Sequence, residues 1–235
     1  SGVRSLRSNH RSIPRNEWMS YHDAPSVGVD ARCPVKAGDA VTVKMAISYV
    51  SIDNARQNLL AESADAGFDE LRSHSQAEWN RWFSRIDVKG GTDNQRRKFY
   101  TDMWHTLLGR HKIDDANGQF PDRTCGGELD WKWVKNPDFA IGRVPDAPDG
   151  KGKLFHMYNS DALWLTQWNQ NTLWGIAYPA LLDDFSASML EYAELGRLLP
   201  RGPCGGSYSY IMSGCPATSM ITSAYQRGIC RKFDP

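Results

Sequence analysis

The sequence predicts a mainly helical chain with a β portion at its N-terminal end. Three observations carry this. Val41, Val43, Met45, Ile47 and Tyr49 alternate with Thr42, Lys44, Ala46 and Ser48, the period of two expected of a half-buried strand. From Ser51 onward, apolar residues recur at helical spacing in several successive segments. No strand–helix–strand alternation occurs, which disfavours a doubly wound parallel sheet. Consecutive helices joined by long loops read as part of a helical barrel.

The elements follow in order. Residues 1–40 are irregular, punctuated by Pro14, Pro25 and Pro34. Lys36 to Ala40 reads as a tight turn leading into the strand Val41–Ser51, with an antiparallel neighbour expected. Ser51 or Asp53 caps a helix over Asn54–Glu62. A second helix spans Phe68–Ile86, and Gly90-Gly91 closes that region. Thr92 or Asp93 opens a third helix carrying Phe99, Met103, Trp104, Leu107 and Leu108. Residues 114–153 are rich in Gly, Pro and Asp and read as hairpins and loops over a site's rim. Helical patterns resume over Leu163–Ala177, stop at Pro179, and continue over Leu181–Leu195. Pro216 or Thr218 opens a last helix through Tyr225, with Gly228 as its stop.

Bulk properties narrow the class. At 235 residues and 40% hydrophobic content the chain has enough apolar material for a real core. A net charge of +1 leaves no basic footprint for nucleic acid, and no apolar run reaches the ~20 residues of a membrane span. Ser1 to Ser12 is polar and lacks a signal-peptide core. That start, and the stop just after Arg231-Lys-Phe-Asp-Pro235, read as a segment of a larger polypeptide. The five cysteines show no CxxC spacing, so a zinc site is not expected; Cys204 and Cys215 flank one loop and are the pair placed to bridge. The six histidines are scattered and read as structural or exposed.

Two segments carry the chemistry. Leu199 to Ile211 is a loop of Gly, Pro, Arg201, Tyr208 and Tyr210 that cannot continue a helix. Asp161 to Trp174 combines Trp164, Trp168 and Trp174 with Gln167, Asn169 and other amides. Aromatic faces beside planar hydrogen-bonding groups suit a sugar, whose CH-rich face stacks while its hydroxyls bond to amides and Arg. Asp161 is either a ligand group or the cap of a helix beginning at Ala162. Asp183 and Asp184 fit a helix start, and Glu191 and Glu194 a solvated helix face. No serine-hydrolase elbow, HExxH, P-loop or dinucleotide fingerprint is present.

Val43–Ser51 followed by Asn54-Ala-Arg-Gln-Asn-Leu59 resembles the end of the N-terminal β-domain of glycoside hydrolase family 92, the exo-acting α-mannosidases. Ala77-Glu-Trp-Asn80, Ile86-Asp-Val-Lys-Gly-Gly91, Phe99–His105, Leu163-Trp164, the loop at 206–212 and Ala224-Tyr-Gln-Arg-Gly228 continue the resemblance, over residues 40–110 and 155–230. It implies part of a β-sandwich followed by part of an (α/α)6 barrel. Residues 1–51 are then the end of the sandwich, 52–91 a helical linker, and 92–235 the first part of the barrel. The implied reaction is inverting hydrolysis of a terminal α-mannoside with calcium assistance, in a secreted or periplasmic protein. Inversion sets its two carboxyl groups about 6.5–9.5 Å apart, leaving room for a water. The resemblance also implies that the catalytic base and most calcium ligands fall beyond Pro235, so no metal ligand is expected in this chain.

Two positions depart from the family pattern. Tyr208 stands where the family carries its general-acid Glu, and Leu165 where it carries the Asp of Leu-Trp-Asp-Thr. A Tyr hydroxyl, with a reference pKa of about 10 against about 4.3 for Glu, protonates a poor leaving group less readily. The leaving group then needs little protonation, as a phosphate would, or another carboxylate such as Asp161 acts, or the protein binds sugar without cleaving it. The expected catalytic residues are accordingly Tyr208 and Asp161. Trp164, Gln167, Trp168, Asn169, Arg201 and Tyr210 are the expected glycan contacts. The rivals are a non-hydrolytic carbohydrate-binding or scaffold protein, and an (α/α)-barrel enzyme acting on other sugars.

Overall fold

A computed structural model describes residues 34–124, 140–160, 163–208 and 213–233. The chain divides into two compact units, Ser1–Val43 and Lys44–Pro235. In the first, the Lys36 amide donates to the Asp39 carboxylate at 2.8 Å and the Asp39 amide returns to the Lys36 carbonyl at 3.1 Å, which forms the expected turn.

At Val41–Ser51, where a strand is expected, the structure departs from expectation. Residues 41–48 enter no strand among the described residues. Their alternation is real, but the apolar row is the exposed one, with Met45 86% exposed. A strand exists only against a partner, and none of the described residues supplies one.

Local capping chemistry explains the next elements. α1 spans Ile52–Ser63, and the Ser51 hydroxyl accepts from the Asn54 amide. α2 spans Phe68–Phe83, shorter than the pattern by one turn; the Ile86 amide makes a single turn bond to the Phe83 carbonyl at 3.3 Å. α3 spans Asp93–Leu107 and starts with a capping box between Thr92 and Gln95. Phe83 of α2 meets Tyr100 of α3 at 6.0 Å between ring centres, which pairs the two helices.

Two short antiparallel ladders follow. β1 (His111–Lys112) pairs with β4 (Tyr158–Asn159), and β2 (Gln119–Asp122) pairs with β3 (Ala140–Arg143). Of residues 114–153, expected to form hairpins and loops, 125–139 lie outside the described residues.

α4 covers only Gln170–Ala177, where the periodicity predicts a helix from Leu163. Leu165 adopts φ 67, a left-handed backbone that cannot belong to a right-handed helix. Pro179 opens α5 (Pro179–Gly196), and α6 (Pro216–Gln226) begins with its own Pro, each ring occupying a position whose N–H has no helical partner. Gly228, at φ 67, turns the chain away after α6.

The core lies where α4, α5 and α6 meet. Trp174, Leu182, Phe185, Met189, Tyr192, Met220 and Ala224 are all fully buried there. Phe185 packs Trp174 at 5.3 Å on one side and Tyr158 of β4 at 4.6 Å on the other. The architecture is thus mainly helical, with short strand pairs inserted between helices.

Contrary to expectation, Asp183 and Asp184 do not sit at a helix start. α5 begins four residues earlier, at Pro179, and both carboxylates are buried in its second turn. Asp183 accepts from the Arg231 amide at 3.1 Å and Asp184 pairs with Lys232, so they hold the segment after α6 against α5. Cys204 and Cys215, which could pair by their place in the sequence, are both free thiols and exposed.

Candidate functional site

The candidate hollow is built from a turn and a helix start; none of the described hairpin residues 203–208 lines it. The turn runs from Leu163 to Gln170. Leu163 is fully buried and anchors it; the Thr166 amide and hydroxyl both donate to the Leu163 carbonyl, at 3.3 and 2.8 Å. The Trp168 amide donates to the Leu165 carbonyl at 3.2 Å and the Asn171 amide to the Thr166 carbonyl at 2.9 Å. Gln170 ties the turn to the end of α3: its amide donates to the Thr106 carbonyl at 2.7 Å and its oxygen accepts from Arg110 at 3.1 Å. Leu165 therefore holds a backbone that its Cβ resists, because the hydrogen bonds around it leave no alternative.

This bracing turns large side chains outward. Trp164 is 57% exposed, Leu165 40% and Trp168 74%. Trp164 and Gln167 line an open hollow of about 250 Å³ with Ser213, Gly214, Cys215, Pro216 and Ser219. Its walls are one indole face, one amide, two hydroxyls and a thiol, with no charged side chain among the described lining residues.

The hairpin joins β5 (Pro203–Cys204) to β6 (Ser207–Tyr208). Main-chain groups anchor it. The Gly205 amide donates to the Asn159 side chain at 3.1 Å, and the Gly206 carbonyl accepts from the Arg123 amide at 2.9 Å. Gly206 has φ 87 and lies so close to Pro121 that a Cβ there would overlap the Pro121 carbonyl oxygen. Only glycine allows this approach.

The expected site residues fall into three groups. Trp164 and Gln167 share the hollow. Trp168, Asn169 and Arg201 are exposed but do not line it. Asp161 and Tyr210 lie outside the described residues; Tyr208 is placed by its backbone opposite Pro203, with its side chain outside them. Ser213, Cys215 and Ser219 form the second wall and were missed in the sequence, where Cys215-Pro216 reads only as a helix start.

A second hollow, of about 460 Å³, runs along α5 and is lined by Glu191, Glu194, Phe155 and Phe233 among others. Burial pushes the Glu191 carboxyl above its usual range, helped by the charges of Glu194 and Asp122. Contrary to the solvated face expected, Glu191 is half-buried, while Glu194 is exposed.

A buried polar network was also not anticipated. The Asp115 carboxylate accepts from Ser48, Asn54 and Asn58, each at 2.7 Å. The neighbouring Asp114 side chain is fully enclosed and takes Lys153, the His156 ring at 3.1 Å and the Met157 amide at 2.9 Å. Burial raises the Asp114 carboxyl, but the hydrogen bonds and charges of His156 and Lys153 outweigh it, for a net lowering. The signal was present in Asn54 and Asn58, four apart and so on one face of α1.

Among the described residues, no three His, Cys, Asp or Glu side chains gather closely enough to hold a metal ion. The described residues thus do not fit calcium, and no chemical step is assigned to it.

Residues 54–235 match the family model described as the glycosyl hydrolase family 92 catalytic domain. The chain belongs to glycosyl hydrolase family 92. Its fold is similar to the family GH92 α-mannosidase BT3965 of Bacteroides thetaiotaomicron in complex with mannoimidazole: TM-score 0.64 and 23% identity, over 80% of this chain and 22% of that one. It is also similar to the family GH92 inverting mannosidase BT2199 of B. thetaiotaomicron VPI-5482: TM-score 0.61 and 22% identity, over 80% of this chain and 22% of that one. The chain thus spans under a quarter of the length of either enzyme. No curated protein matches in a sequence comparison.

Proposed function

We propose that this chain is the first part of a family 92 glycoside hydrolase acting on terminal α-mannosides by inversion. Residues 1–51 end a β-sandwich, 52–91 form a helical linker, and 92–235 begin an (α/α)6 barrel that is completed elsewhere, where calcium and the catalytic base are also held. The exposed apolar row from Met45 to Tyr49 supports the sandwich reading, because such a row calls for a neighbouring sheet.

One observation carries the functional reading. Trp164 and Gln167, from one aromatic segment, share a hollow with the residues that directly follow the glycine-rich loop. An indole face flanked by an amide and hydroxyls is the chemistry of a pyranose subsite. Tyr208, on the anchored hairpin, takes the general-acid position, and Asp161 is the carboxylate nearest in sequence to the platform. Trp168, Asn169, Arg201 and Tyr210 contact sugar residues beyond the one stacked on Trp164.

The test is calorimetric titration of the purified protein with methyl α-mannoside, alongside turnover of an aryl α-mannoside with and without EDTA. Binding that Trp164→Ala weakens supports the subsite. No binding by the unmodified protein, or binding indifferent to Trp164→Ala, overturns it.

A second reading is a non-hydrolytic carbohydrate-binding protein. It is favoured by Tyr208 at the acid position and by the hollow's uncharged lining. Sugar binding without turnover of any α-mannoside selects it.

A further inference from the structure

The hollow beside Trp164 has two walls, each fixed by its own buried anchors. On α6, Ala217, Met220 and Ala224 are fully buried and set the rotation of the helix. That rotation turns Cys215, Pro216 and Ser219, neighbours at helical spacing, to the hollow. On the turn, Leu163 and Thr166 are buried on either side of Trp164, and Gln167 follows them into the same space. Among the described residues, neither the Gln167 amide nor the Ser219 hydroxyl has a hydrogen-bond partner. A ligand hydroxyl therefore replaces water at either group without breaking a contact within the protein. At about 250 Å³ the hollow is smaller than the roughly 300–1,000 Å³ of pockets that enclose drug-sized ligands, which suits a single sugar ring.

Resting on the glycan reading above, we propose that Ser219 is a sugar-binding residue that works with Gln167, each holding a different hydroxyl of one neutral pyranose stacked on Trp164. The amide offers donors and an acceptor, and the serine hydroxyl offers both roles, so each can answer a sugar hydroxyl in either sense. No charged side chain lines the hollow among the described residues, so nothing in it rewards a carboxylate or phosphate on the ring. The sugar thereby links the turn to the first turn of α6.

The test is calorimetry with methyl α-D-mannopyranoside and its 2-, 3-, 4- and 6-deoxy counterparts on the unmodified protein, Gln167→Ala and Ser219→Ala. Loss of one neutral hydrogen bond corresponds to about a fivefold loss of affinity. The unmodified protein is expected to bind two of the deoxy sugars about fivefold more weakly than the parent. Ser219→Ala weakens the parent by the same factor and binds one of those two as well as the parent; Gln167→Ala does so for the other. Ser219→Thr keeps the hydroxyl and restores the discrimination. Cys215 lines the hollow and is exposed, so the parent sugar slows its alkylation by iodoacetamide while Cys204, outside the hollow, reacts unchanged. Undiminished binding by Ser219→Ala, or discrimination among the deoxy sugars that survives it, overturns the inference and leaves the glycan reading standing. No binding of any of the sugars by the unmodified protein, with Cys215 unprotected, overturns both.

Discussion

The Asn58 side-chain amide donates to the Asp115 carboxylate at 2.7 Å, and the Asn58 oxygen accepts the Ala116 amide at 2.8 Å. One asparagine of α1 thereby fixes both the side chain and the backbone of the segment between β1 and β2. With Asn54 and Ser48 on the same carboxylate, this network joins the residues before α1, α1 itself and the β2 turn. Asp115→Ala leaves buried amide donors without an acceptor. It is expected to cost about 3 kcal/mol in urea unfolding, and a loss below about 1 kcal/mol would show that water replaces the carboxylate.

Stability is expected to peak in mildly acidic solution. The folded Asp114 carboxyl titrates below its unfolded value of about 3.9, so its contribution is complete above that pH and fades as pH falls below it. Burial raises the Asp183 and Glu191 carboxyls, so their ionisation weakens the fold as pH rises from their unfolded through their folded values. Denaturant midpoints across pH 3–8 check this. Asp114→Asn should flatten the acid limb and Asp183→Asn the neutral one.

Asn171 is 2% exposed, and neither its side-chain nitrogen nor its oxygen has a partner among the described residues. Leucine in its place removes an unsatisfied polar group while keeping the same branching. Asn171→Leu is therefore expected to be neutral or stabilising by about 1 kcal/mol. A lowered thermal midpoint would indicate that this amide bonds to water or to another part of the protein.

Gly206→Ala should release the hairpin. The added Cβ meets the Pro121 carbonyl and a left-handed backbone at once, for a cost of about 3 kcal/mol at the hairpin's docking. Faster proteolysis near residues 203–208 measures it. Gly205→Ala meets no neighbouring atom within 4 Å, and its left-handed backbone makes it the matched control for strain without the clash.

Trp164→Ala should leave stability within about 0.5 kcal/mol, since the ring is mostly exposed, while lowering sugar affinity about tenfold. A destabilised variant would mean that the ring holds the fold together rather than receiving a ligand.

Much of the helical skeleton was legible because its signals are local. The Ser51 and Thr92 caps and the two opening prolines act within a few residues of themselves. The strand over Val41–Ser51 was not, because alternation records which side chains share a face and says nothing of whether a partner covers it. The helix from Leu163 failed at Leu165, where hydrogen bonds from Thr166 and Trp168 override a residue that favours helices. At the site, Trp164 and Gln167 stood out by residue type. The opposite wall from Ser213 to Ser219 required knowing where α6 begins in space. The Asp115 network joins residues up to 67 apart, a distance over which no sequence pattern operates.

The hairpin's fastenings at Asn159, Arg123 and Pro121 engage the peptide groups of Gly205 and Gly206. The strand that follows is thus seated by main-chain geometry at Gly206, a position where any larger residue would collide with the neighbouring carbonyl.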